Sequence, residues 1–160
     1  MRISVRTSIT AAAAVVLALT PAGALADDGW EERKALKREL ITVKAATANY
    51  HDLERAEADG YALATECVPG TGYHYLHEVA AGQEDLAVAE PNLLVYAPLP
   101  GGFRQLVAVE YASETPATLF GREFDPPNEN VPYYTLHVWL WKWNPDGLFY
   151  PTNSRVSCER

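Results

Sequence analysis

At 160 residues, with 21 acidic against 13 basic side chains, the chain is long enough for one domain with a sizeable core and carries a formal charge of −8. A surface that acidic disfavours nucleic acid and anionic membrane, both of which are bound through basic patches. It suits solubility and the binding of cations.

Met1-Arg2 and Arg6 precede an apolar run from Ala11 to Leu19, and Ala24-Leu25-Ala26 follows. A basic start, a short apolar middle and an Ala-x-Ala end predict a secretory signal peptide over 1–26, cleaved after Ala26. The run is too short to cross a bilayer, and no later stretch approaches the required length. A secreted or extracytoplasmic protein with no membrane span is therefore expected. Removing 1–26 leaves a single domain over 27–160, with 11 basic and 21 acidic residues and a charge of −10.

From about Asp28 to Asp59 the apolar residues Leu36, Leu40, Val43, Tyr50 and Leu53 recur at helical intervals, with charged residues between them. Ala45, Ala46 and Ala48 offer a smooth patch for close packing. Asp52 is placed to cap a second segment, so one bent helix or two remains open, and Gly60 stops the last turn. The helix is expected to cover one face of a sheet.

Five extended segments follow. Tyr61–Glu66 and Gly72–His77 flank a Val-Pro-Gly-Thr-Gly turn, and Asn92–Tyr96 and Phe103–Tyr111 flank a Pro-Leu-Pro-Gly-Gly loop. On the last of these, Arg104, Leu106, Ala108 and Glu110 fall on one side, and Phe103, Gln105, Val107, Val109 and Tyr111 on the other. Residues 112–132 read as a long irregular loop. Tyr133–Trp143 then reads as a strand apolar on both faces, which predicts a central position with a core on one side and an aromatic-lined cavity on the other. Helix first and strands afterwards predict an α+β fold, an N-terminal helix on a curled antiparallel β-sheet or small barrel.

The two cysteines, Cys67 and Cys158, lack the CxxC spacing of a zinc site, and a disulfide tying the tail to the start of the sheet is the reading for an exported chain.

Chemistry concentrates on the strands. By alternation, Glu110 and His137 point to the side away from Val109, Leu136 and Val138, and His74 joins them if Tyr73 and Tyr75 face the other way. Two histidines and one carboxylate from three strands make a candidate site for a divalent transition metal, zinc, copper or iron. The alternative is a satisfied polar cluster in which Glu110 and His137 pair with each other, Arg104, Tyr73 or the backbone. His51 and His77 read as exposed. Tyr73, Trp139 and Trp141 are candidate stacking residues for a small ligand bound in the cavity. Their alternative roles are core packing or a subunit interface.

Several motifs group these residues: Ala58 to Tyr61 (ADGY), Cys67 to Tyr75 with its Gly-Tyr-His-Tyr end, Val107 to Tyr111 (VAVEY), and Leu136 to Phe149 (LHVWLWxxNPxGxF). With the terminal Val156-Ser157-Cys158 they carry a resemblance, covering most of the mature chain, to a family of uncharacterised exported bacterial proteins. That resemblance implies no reaction, because the family has no settled activity, but it places His74, Glu110 and His137 inside motif blocks. Relatives that it resembles carry a histidine in the loop where Asn128 to Asn130 stands here. Two functional expectations follow. One is metal or small-ligand binding in the β-sheet cavity, with a cupin-like metalloenzyme as its enzymatic form. The other is a non-catalytic extracellular protein whose aromatic sheet face serves self-association or ligand stacking.

Overall fold

The computed structural model describes residues 24–159, with side chains from Gly29 onward. Residues 1–23, which carry most of the signal-peptide pattern, lie outside it. Helix α1 (Ala24–Ala46) is followed by a 3₁₀ turn (Ala48–His51) and by α2 (Leu53–Ala58), so the helical region is in pieces. Asp52 makes the break: its backbone is extended and its side chain accepts from the Glu54 N–H, capping α2. Ala45, Ala46 and Ala48 are exposed and do not form the packing patch expected of them. Thr47 is buried instead, because its hydroxyl donates back to the Val43 carbonyl at 2.8 Å. Among the described residues no helix is long and apolar enough to cross a membrane.

Seven strands follow: β1 (Ala62–Val68), β2 (Gly72–Leu76), β3 (Leu93–Pro98), β4 (Arg104–Ser113), β5 (Thr118–Leu119), β6 (Arg122–Glu123) and β7 (Tyr134–Val138). Five of them form one antiparallel sheet in the order β1-β2-β3-β4-β7, and β5-β6 is a separate small hairpin. The fold is mixed α+β, and the sheet is not closed into a barrel, which corrects that part of the expectation.

Two further corrections concern the C-terminal strands. The segment expected at the centre of the sheet is its edge strand, and it ends at Val138. Its outer edge is partly covered by the preceding loop, where Asp125 and Thr135 exchange backbone hydrogen bonds of 2.7 and 3.0 Å. That loop contains the β5-β6 hairpin, and it sends Ala117, Phe120 and Phe124 into the core. It is therefore a packed element and not merely an irregular connection.

The core lies on one side of the sheet. Val43 of α1, with Leu36 and Leu40 against it, meets Leu94, Tyr96, Val109 and Tyr111 in the main cluster. Tyrosine hydroxyls tie surrounding loops to this layer: Tyr61 donates to the Pro91 carbonyl, Tyr96 to Tyr50 and Tyr111 to Val88, each at 2.6 Å. A second, smaller cluster on the opposite side joins Val95, Ala97, Val107 and Ala108 to Trp139 and Val156.

The strict alternation expected along β4 fails at Val107. Val95 pairs with Ala108 and Tyr96 with Leu106, so β4 carries one extra residue there. This bulge moves Leu106 into the main core and Val107 to the opposite side. The freed Val107 carbonyl accepts from both the Trp141 and Lys142 N–H groups. Beyond the bulge the alternation holds, which is why Glu110 points where the sequence put it.

Cys67 and Cys158 form a disulfide across 91 residues of chain, with Cα atoms 5.8 Å apart. The tail is also hydrogen-bonded to the β1-β2 turn, from Asn153 N–H to the Gly70 carbonyl and from Gly70 N–H to the Val156 carbonyl. In that turn Gly72 has φ +101, and a Cβ there would run into the Tyr96 carbonyl oxygen of β3. Both the left-handed backbone and the close approach require glycine. Gly72→Ala is expected to lower stability by at least about 2 kcal/mol in chemical denaturation. An effect under about 0.5 kcal/mol would mean that β2 and β3 are not held this close.

Candidate metal centre

Three strands of the one sheet supply the site, β4 and its neighbour β7 together with β2, which lies beyond β3. His74 sits on β2 opposite Val95 of β3, and Glu110 on β4 pairs directly with His137 on β7. Because side chains alternate and direct partners share a face, all three project on the side away from the main core. Their relative exposures are 8, 4 and 6%, so each is buried. One ligand atom from each residue lies within 4.8 Å of the other two. His74 Nε2 stands 3.6 Å from Glu110 Oε2, and His137 Nδ1 stands 3.6 Å from Glu110 Oε1.

Those separations are too long for hydrogen bonds. They are close to the roughly 3.4 Å between donor atoms that each bind a tetrahedral metal at about 2.0–2.1 Å. The surroundings also suit a metal. Thr65 Oγ1 lies 3.0 Å from His74 Nδ1, and when that nitrogen donates its proton to the hydroxyl, Nε2 keeps its lone pair for coordination. His137 is the more telling case, because neither of its ring nitrogens has a hydrogen-bond partner although both are buried. Native proteins rarely leave such atoms unsatisfied.

Burial dominates the electrostatics of the three groups. Burial pushes the Glu110 carboxyl up to about 7. Attraction to His74 and a hydrogen bond from the Thr135 hydroxyl hold it back, and the Asp125 carboxylate raises it further. Burial pushes His137 down to about 4, with Asp125 opposing. His74 is also lowered, chiefly by burial, against the attraction of Glu110. Three groups that would form ion pairs in water are thus driven toward their neutral forms here. A dication reverses this balance, because it favours the carboxylate and accepts the neutral imidazole lone pairs.

The triad opens onto a cavity of about 460 Å³. Leu76, Leu93 and Ala112 line it from the sheet, and Val131, Pro132 and Tyr133 from the segment before β7. Thr65, Thr71, Asp125, Asn128, Asn130, Thr135 and Thr152 also line it.

The three aromatic residues expected to line the cavity do not. Trp139 lies on the expected side and stacks on the His137 ring at 6.1 Å and 13°, but it is sealed beneath the tail, where its Nε1–H donates to the Tyr150 carbonyl. Trp141 sits against His51 and Lys44, because the strand ends at Val138 and the chain turns onto the β4 bulge. Tyr73 faces the core side and carries the Arg104 guanidinium at 3.8 Å. Of the aromatics in this region only Tyr133 reaches the cavity. His51 and His77 are exposed, as expected.

Sequence reasoning missed Thr65, Thr135 and Asp125. Thr135 could have been found, since it is two residues before His137 and shares its face. Asp125 reaches the site only through the backbone pairing of its loop to β7, for which no local pattern exists. Comparison of the chain with protein-family models, with curated proteins and with solved structures gave no match in any of the three.

Proposed function

We propose that this protein binds a divalent transition metal, zinc, copper or iron(II), through His74, Glu110 and His137, in an extracytoplasmic setting. The observation that carries the proposal is the convergence of three buried donors from three strands, with both nitrogens of His137 lacking any other partner. A self-sufficient polar cluster would pair those nitrogens. Three protein ligands leave coordination positions open toward the cavity, the arrangement of metal sites that also take a small ligand. The five-stranded open sheet departs from the double-sheet cupin architecture, so the chemistry rests on the donor set and not on that analogy. Support for export comes from the N-terminal pattern, the motif resemblance and a disulfide suited to an oxidising compartment. The alternative, an aromatic face for stacking or self-association, has less support, since Trp139 is buried and Trp141 packs on the other side.

Protein purified without a chelating tag and exposed in turn to zinc, copper and iron(II) is expected to retain about one equivalent of one of them. At a free metal concentration of 100 times Kd, the gain in stability should be about 2.7 kcal/mol. His137→Ala should abolish both effects. Retention below about a tenth of an equivalent for all three metals would refute the proposal.

A further inference from the structure

The wall of the cavity says what the open side of the metal would accept. We infer that the ligand completing this site is a neutral, largely apolar small molecule with a single lone-pair donor, an inference that rests on the metal-binding reading above. Three observations carry it. Among the described residues lining the cavity none is lysine or arginine, while Asp125 adds a carboxylate beside the triad. A dication with the Glu110 and Asp125 carboxylates is already balanced in charge, so phosphate, sulfate or a polycarboxylate would enter uncompensated.

The second observation is that part of the polar wall, including the hydroxyl beside His74, is engaged locally. The Asn128 side chain accepts from the Asn130 and Val131 N–H groups, at 2.9 and 3.1 Å. Thr71 Oγ1 donates to the Val68 carbonyl at 3.4 Å, and Thr65 is engaged with His74. The polar groups that remain, on Asn130, Tyr133, Thr152 and the Asn128 amide nitrogen, stand in the loop and tail wall, so a ligand polar all round would leave groups facing Leu76, Leu93 and Ala112 with no replacement for their hydration.

The third is size and surface. Val68, Leu76, Val79, Leu93, Val131 and Tyr133 present aliphatic and aromatic area around a space of about 460 Å³. That falls within the range of pockets that enclose organic ligands and exceeds the need of a metal-bound water.

The test uses the full mature protein loaded with cobalt(II), whose visible absorption reports the donor set. 4-Phenylimidazole, imidazole and inorganic phosphate are titrated against that spectrum. Phenylimidazole is expected to bind at least about tenfold tighter than imidazole, because its ring is buried against the aliphatic wall, and phosphate should leave the spectrum unchanged at millimolar concentration. Ala64→Phe, on the exposed edge strand at the rim, should remove the preference for phenylimidazole while leaving the cobalt spectrum and metal content as in wild type. Cobalt bound with no preference for phenylimidazole, or with phosphate the tighter ligand, overturns this inference and leaves the metal site standing. Failure to bind cobalt overturns this inference, and failure to bind zinc, copper and iron(II) as well overturns the metal site with it.

Discussion

Glu110→Gln is expected to make the metal-free protein more stable at pH 8, by about 3 kcal/mol, while eliminating its stabilisation by metal. The reason is the position of the carboxyl. Burial raises it from an ordinary 4.5 to about 7, so between those values the folded state holds a proton that the unfolded state has released. Its contribution is fully present below about 4.5 and is lost as pH rises through about 7, which amounts to about 3 kcal/mol. His137, lowered to about 4, acts in the opposite sense. Its neutral buried form is protonated less than the unfolded imidazole, so stability rises as pH climbs from about 4 to 6.5. His74, also lowered, adds to that rise. Wild type without metal should therefore show a shallow rise between pH 4.5 and 6.5, where Glu110 and His137 offset each other and His74 adds its part, and then a fall toward pH 7.5.

The glutamine variant keeps the rising limb and lacks the fall. Denaturant unfolding in the presence of a chelator, at pH 5 and pH 8, measures both. Were Glu110 the acceptor of a satisfied cluster, its removal would weaken the protein at pH 8. That outcome would remove the case for a destabilised, metal-seeking site. On the proposed ligand set, saturation with whichever of the three metals is retained should invert the order, since only the wild type would offer the carboxylate.

The second large effect lies in the disulfide. Opening the Cys67–Cys158 bridge is expected to reduce stability by about 4–5 kcal/mol, since it releases a loop of 91 residues in the unfolded chain. The structural consequence is local to the site. The tail contributes Val156 to the cluster beneath Trp139, and Pro151 and Thr152 to the cavity wall. Asn153, wholly buried, is hydrogen-bonded to Gly70 and Trp143 in the same region. Reduction should thus loosen the wall before it disturbs the main core, because α1, β3 and β4 hold the core without the tail. Hydrogen exchange of the reduced protein is expected to show faster exchange at the Gly70, Asn153 and Val156 amides than at Val109 or Leu94. Uniform acceleration across the chain would mean that the bridge stabilises only through the unfolded state.

These two results concern groups that were visible in the sequence for different reasons. The cysteines were legible because a pair in a chain read as exported has few alternatives. Glu110 was legible because a lone carboxylate in Val-Ala-Val-Glu-Tyr interrupts an apolar strand, and the period of two then sets its side. His137 was found by the same rule on β7. Their meeting with His74 depended on Tyr73 and Tyr75 facing the other way, and both do stand on the core side, which leaves His74 Nε2 3.6 Å from Glu110.

The period-two rule failed where its premise did. At Val107 an inserted residue breaks the alternation, and nothing in that apolar run marks the bulge. Beyond Val138 the chain leaves the sheet, so Trp141 could not keep the face assigned to it.

By itself the sequence determined the element types, the antiparallel neighbours of the first four strands, the cysteine pairing and the face on which three potential ligands stand. These depend on local periodicity and short turns, which residue spacing encodes directly. Only the tertiary structure decided that β7 is an edge strand, that Trp139 is sealed under the tail, and that Asp125 and the Asn128–Asn130 loop border the cavity. Those features depend on contacts between segments far apart in the chain, where packing and backbone hydrogen bonding settle the arrangement and no local pattern records it.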